Sequence, residues 1–271
     1  MDKLDGITFF FSLGQLFGIN IHRLEESCAR DTFVRNFPNR LGRTVVWIYL
    51  PLSQQDRALV LGIRKELQSR DLKILIRMEL IGDVVIGLQS KGQVKDRCLA
   101  ASPPLTMIYG EPSEGCPVRF FGAHSGSPSD EAHPKPFRLE KPGPCPIDND
   151  AYFSWAPLCA VLSTLVFYDH NTGSCRGILF RYQNGGSRAV GQCRLQVDPA
   201  ESVVQPARFC FRANSCPSRW NRMTQTVQVK FKQGARNNHT EKDIDGWEPH
   251  PMKGLVKFWF TPESSFLVVE N

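Results

Sequence analysis

From residue 151 onward the chain is a succession of short β-branched and aromatic runs cut by turn clusters, with no stretch of helical spacing between them. VLSTLVFY (161–168) ends in DHNTGS. Ile178, Phe180 and Tyr182 then alternate against Leu179, Arg181 and Gln183, the period-two pattern of a half-buried strand. Asn184-Gly185 predicts a primed two-residue turn, because such turns need positive φ at both central residues, and the return strand is expected at 188–197. Further strands are expected at 207–212, 226–232, 255–260 and 265–269. Repeated short strands of this kind can bury their apolar faces only by stacking antiparallel sheets, as in a sandwich, a barrel or a β-prism-like arrangement.

The first 88 residues read as a mixture. Ile7, Phe9 and Phe11 alternate with Thr8, Phe10 and Ser12, and TVVWIYL (44–50) suits a strand covered on both faces. Ser53 followed by Asp56 resembles a capping box, and Val60, Ile63 and Leu67 follow at helical spacing, so a helix is predicted over about 54–68. LKILIRMEL, Gly82-Asp83 and VVIGL predict a hairpin. The fold class is therefore α+β, β-rich, with few helices. Ten of the 19 prolines lie in 89–150, where an irregular connection is expected with at most a short strand at 105–109. The expected organisation is a β-rich segment 1–88, a Pro-rich connection 89–150, and an all-β segment 151–271 packed with 1–88 in one body. One internal echo aligns Ile7…Gly14 with Ile178…Gly185 through Ile, Phe, an aromatic and Gly.

Apolar residues at 41% and aromatic residues at 10% suffice for a core and exclude wholesale disorder, a collagen or a coiled coil. The formal charge of +6 is concentrated in 151–271, which holds 14 Lys+Arg against 9 Asp+Glu. These cations are spaced along expected strands, the pattern of a solvated outer face rather than a nucleic-acid patch. Nine cysteines, an odd number without C-x-x-C, point to free thiols in a reducing compartment. The apolar run 7–21 follows an acidic leader and is too short for a membrane span. The expected location is cytoplasmic or nuclear, with no signal peptide and no transmembrane segment.

Familiar catalytic signatures are missing. Ser125 fails as a nucleophile elbow because Ala123 and Ser127 stand where glycines are needed. His22 and Glu26 share a face only if 20–28 is helical. No catalytic residue, metal ligand or cofactor is assigned. The candidate ligand-binding residues are Asp169 and Asn171 in the turn DHNTG, Arg219, Trp220 and Arg222 in SRWNR, and Trp247 in DGWEP. Oxygen donors in a tight turn suit a cation or sugar hydroxyls. Exposed indole rings beside arginines suit stacking and cation–π recognition.

CRGILFRYQNGGSRAVGQCR (175–194), FSLGQLFGINIH (11–22) and MKGLVKFWFTPESS (252–265) resemble blocks of a protein family of filamentous ascomycete fungi with no known activity. The resemblance covers about a quarter of the chain and implies a fungal, intracellular protein. The aromatic hairpin is also similar to strands of jacalin-type β-prism lectins, which implies sheet geometry. Their sugar site uses a Gly terminus and a loop ending in Asp, and neither is identifiable here. The function these readings favour is a β-rich binding or interaction module acting through loops and exposed Trp and Arg groups. Its partner class is protein or carbohydrate, not a membrane. The alternatives are an enzyme of fungal small-molecule metabolism and, less favoured, a nucleic-acid-associated protein.

Overall fold

A computed structural model describes residues 4–23, 28–37, 41–67, 69, 71–90, 92–126, 134–147, 150–217, 223–234 and 246–270. The chain divides into two compact units, Met1–Lys141 and Pro142–Asn271. Both are built from open antiparallel sheets, and among the described residues no sheet closes into a barrel.

In the first unit, β1 (Leu4–Ser12), β2 (Gln15–Arg23) and β3 (Val45–Pro51) form a sheet ordered β2-β1-β3. Phe9, Phe10, Phe11 and Val46 are fully buried, so both faces of this sheet are covered. Helix α1 (Ala29–Asn36) supplies cover on one face: Phe33 and Phe37 pack on Phe10, with ring centres 6.2 and 5.9 Å apart. A second sheet holds β4 (Ala58–Glu66), β5 (Leu72–Met78), β6 (Gly82–Ile86) and β7 (Val94–Ala101) in the order β6-β5-β4-β7. A hairpin, β8 (Leu105–Tyr109) and β9 (Phe121–Ser125), completes the unit.

Two expectations are corrected here. The helix at 54–68 does not form; the segment is strand β4. Ser53 does accept a hydrogen bond from the Gln55 amide, but the turn stops there, and Asp56 instead accepts the Leu80 amide at 2.7 Å. Gly62 is central to a run buried at Val60, Leu61 and Ile63, and β4 pairs on both edges, with β5 and β7. A Cβ at Gly62 would stand 2.9 Å from the Arg97 carbonyl oxygen. Glycine costs about 1 kcal/mol in a helix, and two strand partners override the local capping signal. The second correction concerns 89–150: the strand expected at 105–109 is β8, but strands β7 and β9 also lie in this segment, and its later described part, 134–147, is without strands. The prolines among the described residues of 89–150 fall between strands, where no ladder donor is lost.

A strap from the same Pro-rich region is fastened to the β5–β6 hairpin. Arg77 and Asp83 face each other across that hairpin and form a bidentate pair, at 2.7 and 3.0 Å. Arg77 also donates to the carbonyls of Lys135 and Pro136 and lies over the Phe137 ring, while Asp83 accepts the Arg138 amide.

The second unit contains β10 (Tyr152–Pro157), β11 (Val161–Tyr168), β12 (Cys175–Tyr182), β13 (Ser187–Gly191), β14 (Ala200–Val204), β15 (Pro206–Pro217), β16 (Met223–Gln233), β17 (Glu248–Pro251), β18 (Leu255–Phe260) and β19 (Ser265–Glu270). Its three sheets are β10-β18-β19, β13-β12-β11-β14 and β16-β15-β17. Ile178, Phe180 and Tyr182 are buried and Arg181 is exposed, as the alternation requires. The turn at Asn184-Gly185 differs from expectation. Gly185 alone has positive φ there, and its amide bonds the Tyr182 carbonyl, so Gln183 and Asn184 are the central residues of an unprimed turn closed by a glycine. The primed turn lies instead at Leu13-Gly14.

The two units repeat one plan. β6-β5-β4-β7 and β13-β12-β11-β14 are both Greek keys: three strands in sequence, with a fourth returning beside the first. The register matches residue by residue, from Ile74, Leu75, Ile76, Arg77 and Met78 in β5 to Ile178, Leu179, Phe180, Arg181 and Tyr182 in β12. Both first strands carry a register shift at their start. The three-stranded sheets also correspond. Ile7-Thr8-Phe9-Phe10-Phe11 pairs with β3 as Val256-Lys257-Phe258-Trp259-Phe260 pairs with β10, and Pro51 and Pro157 close the two partner strands. The hairpin that precedes its unit in the first case, β1–β2, follows it in the second, β18–β19. The echo between Ile7 and Ile178 therefore joins strands that are not equivalent.

Candidate functional site

β17 sends neighbouring residues to opposite faces of the sheet β16-β15-β17. On one face Arg208 and Arg212 of β15 lie beside Lys230 and Lys232 of β16. Trp247, immediately before β17, lies on this face: Lys230 Nζ is 3.7 Å and Arg212 Cζ 4.8 Å from its ring centre. Arg212 Nε also donates to Gln228 Oε1 at 2.7 Å, which fixes the guanidinium. The indole thus organises a basic surface rather than packing into the loop base.

The opposite face begins in the core. Phe209 and Phe231 pack there at a tilt, with ring centres 5.0 Å apart, and Phe231 meets Phe180 edge-on. Further along, the same face opens into a cleft of about 250 Å³ lined by Phe211, Val227, Glu248 and His250 on one side and by the contiguous residues 265–269 of β19 on the other. The His250 ring stacks on Phe211, with ring centres 5.2 Å apart and planes within 13°. Its Nε2 is buried without a hydrogen-bond partner among the described residues, and Glu248 Oε2 is 4.0 Å away. An apolar cleft with a few convergent polar groups is what a ligand site requires.

The sequence-predicted residues are distributed differently. Asp169 is held inside its own turn. One carboxylate oxygen accepts the amides of Asn171 and Thr172 and the Thr172 hydroxyl, and the other pairs with Arg176. Burial alone would raise its pKa; the Arg176 guanidinium and these hydrogen bonds outweigh burial and hold it below the usual carboxylate value. Arg176 and Arg194 share Asp198, so Asp169 ends a local ion-pair chain. Asn171 is exposed beside it. The loop thus uses Asp169 to shape itself. Arg219, Trp220 and Arg222 lie outside the described residues. Of the three candidates among the described residues, Asp169, Asn171 and Trp247, only Trp247 joins the site above. Of the other tryptophans, Trp259 is buried and Trp155 carries Arg188 3.8 Å over its ring.

His22 lies on β2, which continues through Arg23. Its Nε2 is 2.7 Å from Thr8 Oγ1 and its ring meets Tyr49 edge-on, while Glu26 lies outside the described residues. Among the described residues no group of three His, Cys, Asp or Glu side chains could hold a metal ion. None of the nine cysteines is in a disulfide, and no described helix is long and apolar enough to cross a membrane. Neither a protein-family model nor a curated protein sequence matches the chain.

Sequence alone does not single out Arg212, Glu248 and His250, and it places Lys230 only among the cations of a solvated outer face. The period-two spacing of Arg208 and Arg212, and of Lys230 and Lys232, was available as a signal. What brings Trp247 to them is the pairing of β15 with β17, and EPHP, with two prolines, does not read as a strand.

Proposed function

We propose that the second unit is an interaction module whose binding surface is built around β17, and that its partner is a protein. The observation that carries this reading is the alternation through Trp247–His250. Trp247 joins Arg212 and Lys230 on a basic face, while Glu248 and His250 enter an apolar cleft that holds an unsatisfied imidazole nitrogen. Aromatic and Arg anchors beside a dry pocket are the usual source of binding energy at protein interfaces. Protein is favoured over carbohydrate because Phe211, Val227, Leu267 and Val269 give the cleft apolar walls suited to side chains, with Gln225, Thr226 and His250 as polar groups beside them.

The test is to probe the full chain on a peptide array and on a glycan array, with Trp247→Ala and His250→Ala as variants. Wild type should bind peptides and not glycans, and each variant should lose at least about ten-fold in affinity, about 1.4 kcal/mol. An empty peptide array, or binding unchanged in both variants, would overturn the reading.

A further inference from the structure

We infer that β19 accepts an extended peptide segment as an added strand, seated in the cleft against Phe211 and His250. This rests on the reading of the second unit as an interaction module, and it names how the partner is held.

β19 is an edge strand: its sheet runs β10-β18-β19. Which of its backbone groups face outward follows from the hairpin. The Thr261 amide bonds the Ser264 carbonyl, so Thr261 and Ser264 are a hydrogen-bonded pair. Pairs alternate from there, so Trp259–Phe266 and Lys257–Val268 turn their backbone bonds inward. Ser265, Leu267 and Val269 therefore turn their N–H and C=O outward, and residues 265–269 line the cleft. A strand laid along Leu267 and Val269 gains two pairs of ladder bonds, the geometry of β-augmentation.

The sister unit indicates what belongs there. Leu16 and Ser265 hold the same place in the two hairpins, opposite Phe11 and Phe260. In the first unit the Leu16 carbonyl accepts the Val118 amide at 2.7 Å, so the chain itself lies along that edge. In the second unit Val227 donates to the Ser265 hydroxyl at the corresponding point, and beyond it the cleft opens. At this point of the same edge a backbone amide from the chain itself is bonded in one unit and a cleft opens in the other, so polypeptide is the chemistry that fits it.

The cleft also constrains the segment. Phe211, Val227, Leu267 and Val269 call for branched or aromatic side chains. His250 Nε2 calls for a hydrogen-bonding side chain, and Glu248 at 4.0 Å disfavours a second carboxylate, so a neutral group fits there, a Ser, Thr or Tyr hydroxyl or an Asn or Gln amide.

The experiment pans a phage-displayed library of random linear heptapeptides on the full chain and synthesises the consensus peptide. Apolar residues alternating with a neutral hydrogen-bonding residue are expected. Methylating the peptide's backbone nitrogens one at a time should weaken binding at least ten-fold at every second position. Val269→Pro removes an outward N–H while leaving the β18 ladder intact, and it should produce a comparable loss. Amide exchange at Leu267 and Val269 should slow when the peptide is bound. If a peptide binds but the methyl scan shows no alternation and these amides stay unprotected, strand addition is overturned while the interaction-module reading stands. If no peptide is enriched, both fall. The methyl scan acts on the peptide, so it holds even if the proline variant folds poorly.

Discussion

Replacing Asp83 with Ala should release the strap at 135–138 from the first unit. Asp83 is nearly buried, with 5% of its side chain exposed, and it accepts three hydrogen bonds, two from Arg77 and one from the Arg138 amide. Its removal leaves Arg77 without its carboxylate. Losing one partner of a buried ion pair costs about 3–5 kcal/mol. Arg77 keeps the Lys135 and Pro136 carbonyls and is 19% exposed, so part of its charge remains solvated. The expected cost is therefore at the lower end, about 3 kcal/mol. Urea unfolding should show an earlier transition for the first unit. Limited proteolysis should cut within 134–141 sooner than in wild type, because the strap loses the bond to its Arg138 amide. Arg181→Ala provides the internal control. It removes the residue at the same register position in the second unit, where the opposing residue is Ser187 rather than an acid, and it should cost no more than about 0.5 kcal/mol. A cost below about 1 kcal/mol for Asp83→Ala, with unchanged proteolysis, would refute the reasoning.

Two further outcomes follow from the second unit. Phe180 is fully buried against Phe231, so Phe180→Ala should destabilise by about 3–5 kcal/mol in a urea titration; a cost as small as that of Arg181→Ala would put the register off by one residue. Asp169 has a folded-state pKa held below its ordinary value, so it contributes stability above about pH 4 and loses that contribution as pH falls through the lower, folded value. Urea midpoints measured from pH 6 to pH 3 should therefore fall less steeply for Asp169→Asn than for wild type, and parallel curves would count against the ion-pair chain.

Strand alternation made most of the fold legible. β5, β11, β12, β16, β18 and β19 all lie where period-two patterns or continuous apolar runs placed them. What failed was local signal meeting tertiary pairing. Ser53 and Asp56 carry helix-start chemistry, yet each spends it on a turn, and the apolar run between β5 and β7 takes two ladders instead. β7 was hidden for a different reason: it is an edge strand whose first five residues are exposed, so it has little apolar signature. The candidate site was legible only at Trp247. The ring's partners come from β15 and β16, far away in sequence, and no local pattern reports a pairing across that distance. Asp169 was picked out by composition alone, and its turn consumes the carboxylate that made it attractive.

The placement of the two hairpins sets a different timetable for each unit during synthesis. In the first, β1 and β2 are made before β3, and Gly6 can meet Pro51 as soon as that strand emerges. In the second, β10 is made early, but its neighbour β18 follows every other strand of the unit except β19, with Tyr152 pairing to Phe260. Until then Phe153 and Trp155 sit on a strand with no ladder partner, exposed to the association that unpaired apolar strands invite. Closing so long a loop also makes this sheet the slower to form. A ribosome stalled before residue 255 would therefore carry a finished first unit and an open second one, and the second is where chaperones would be needed.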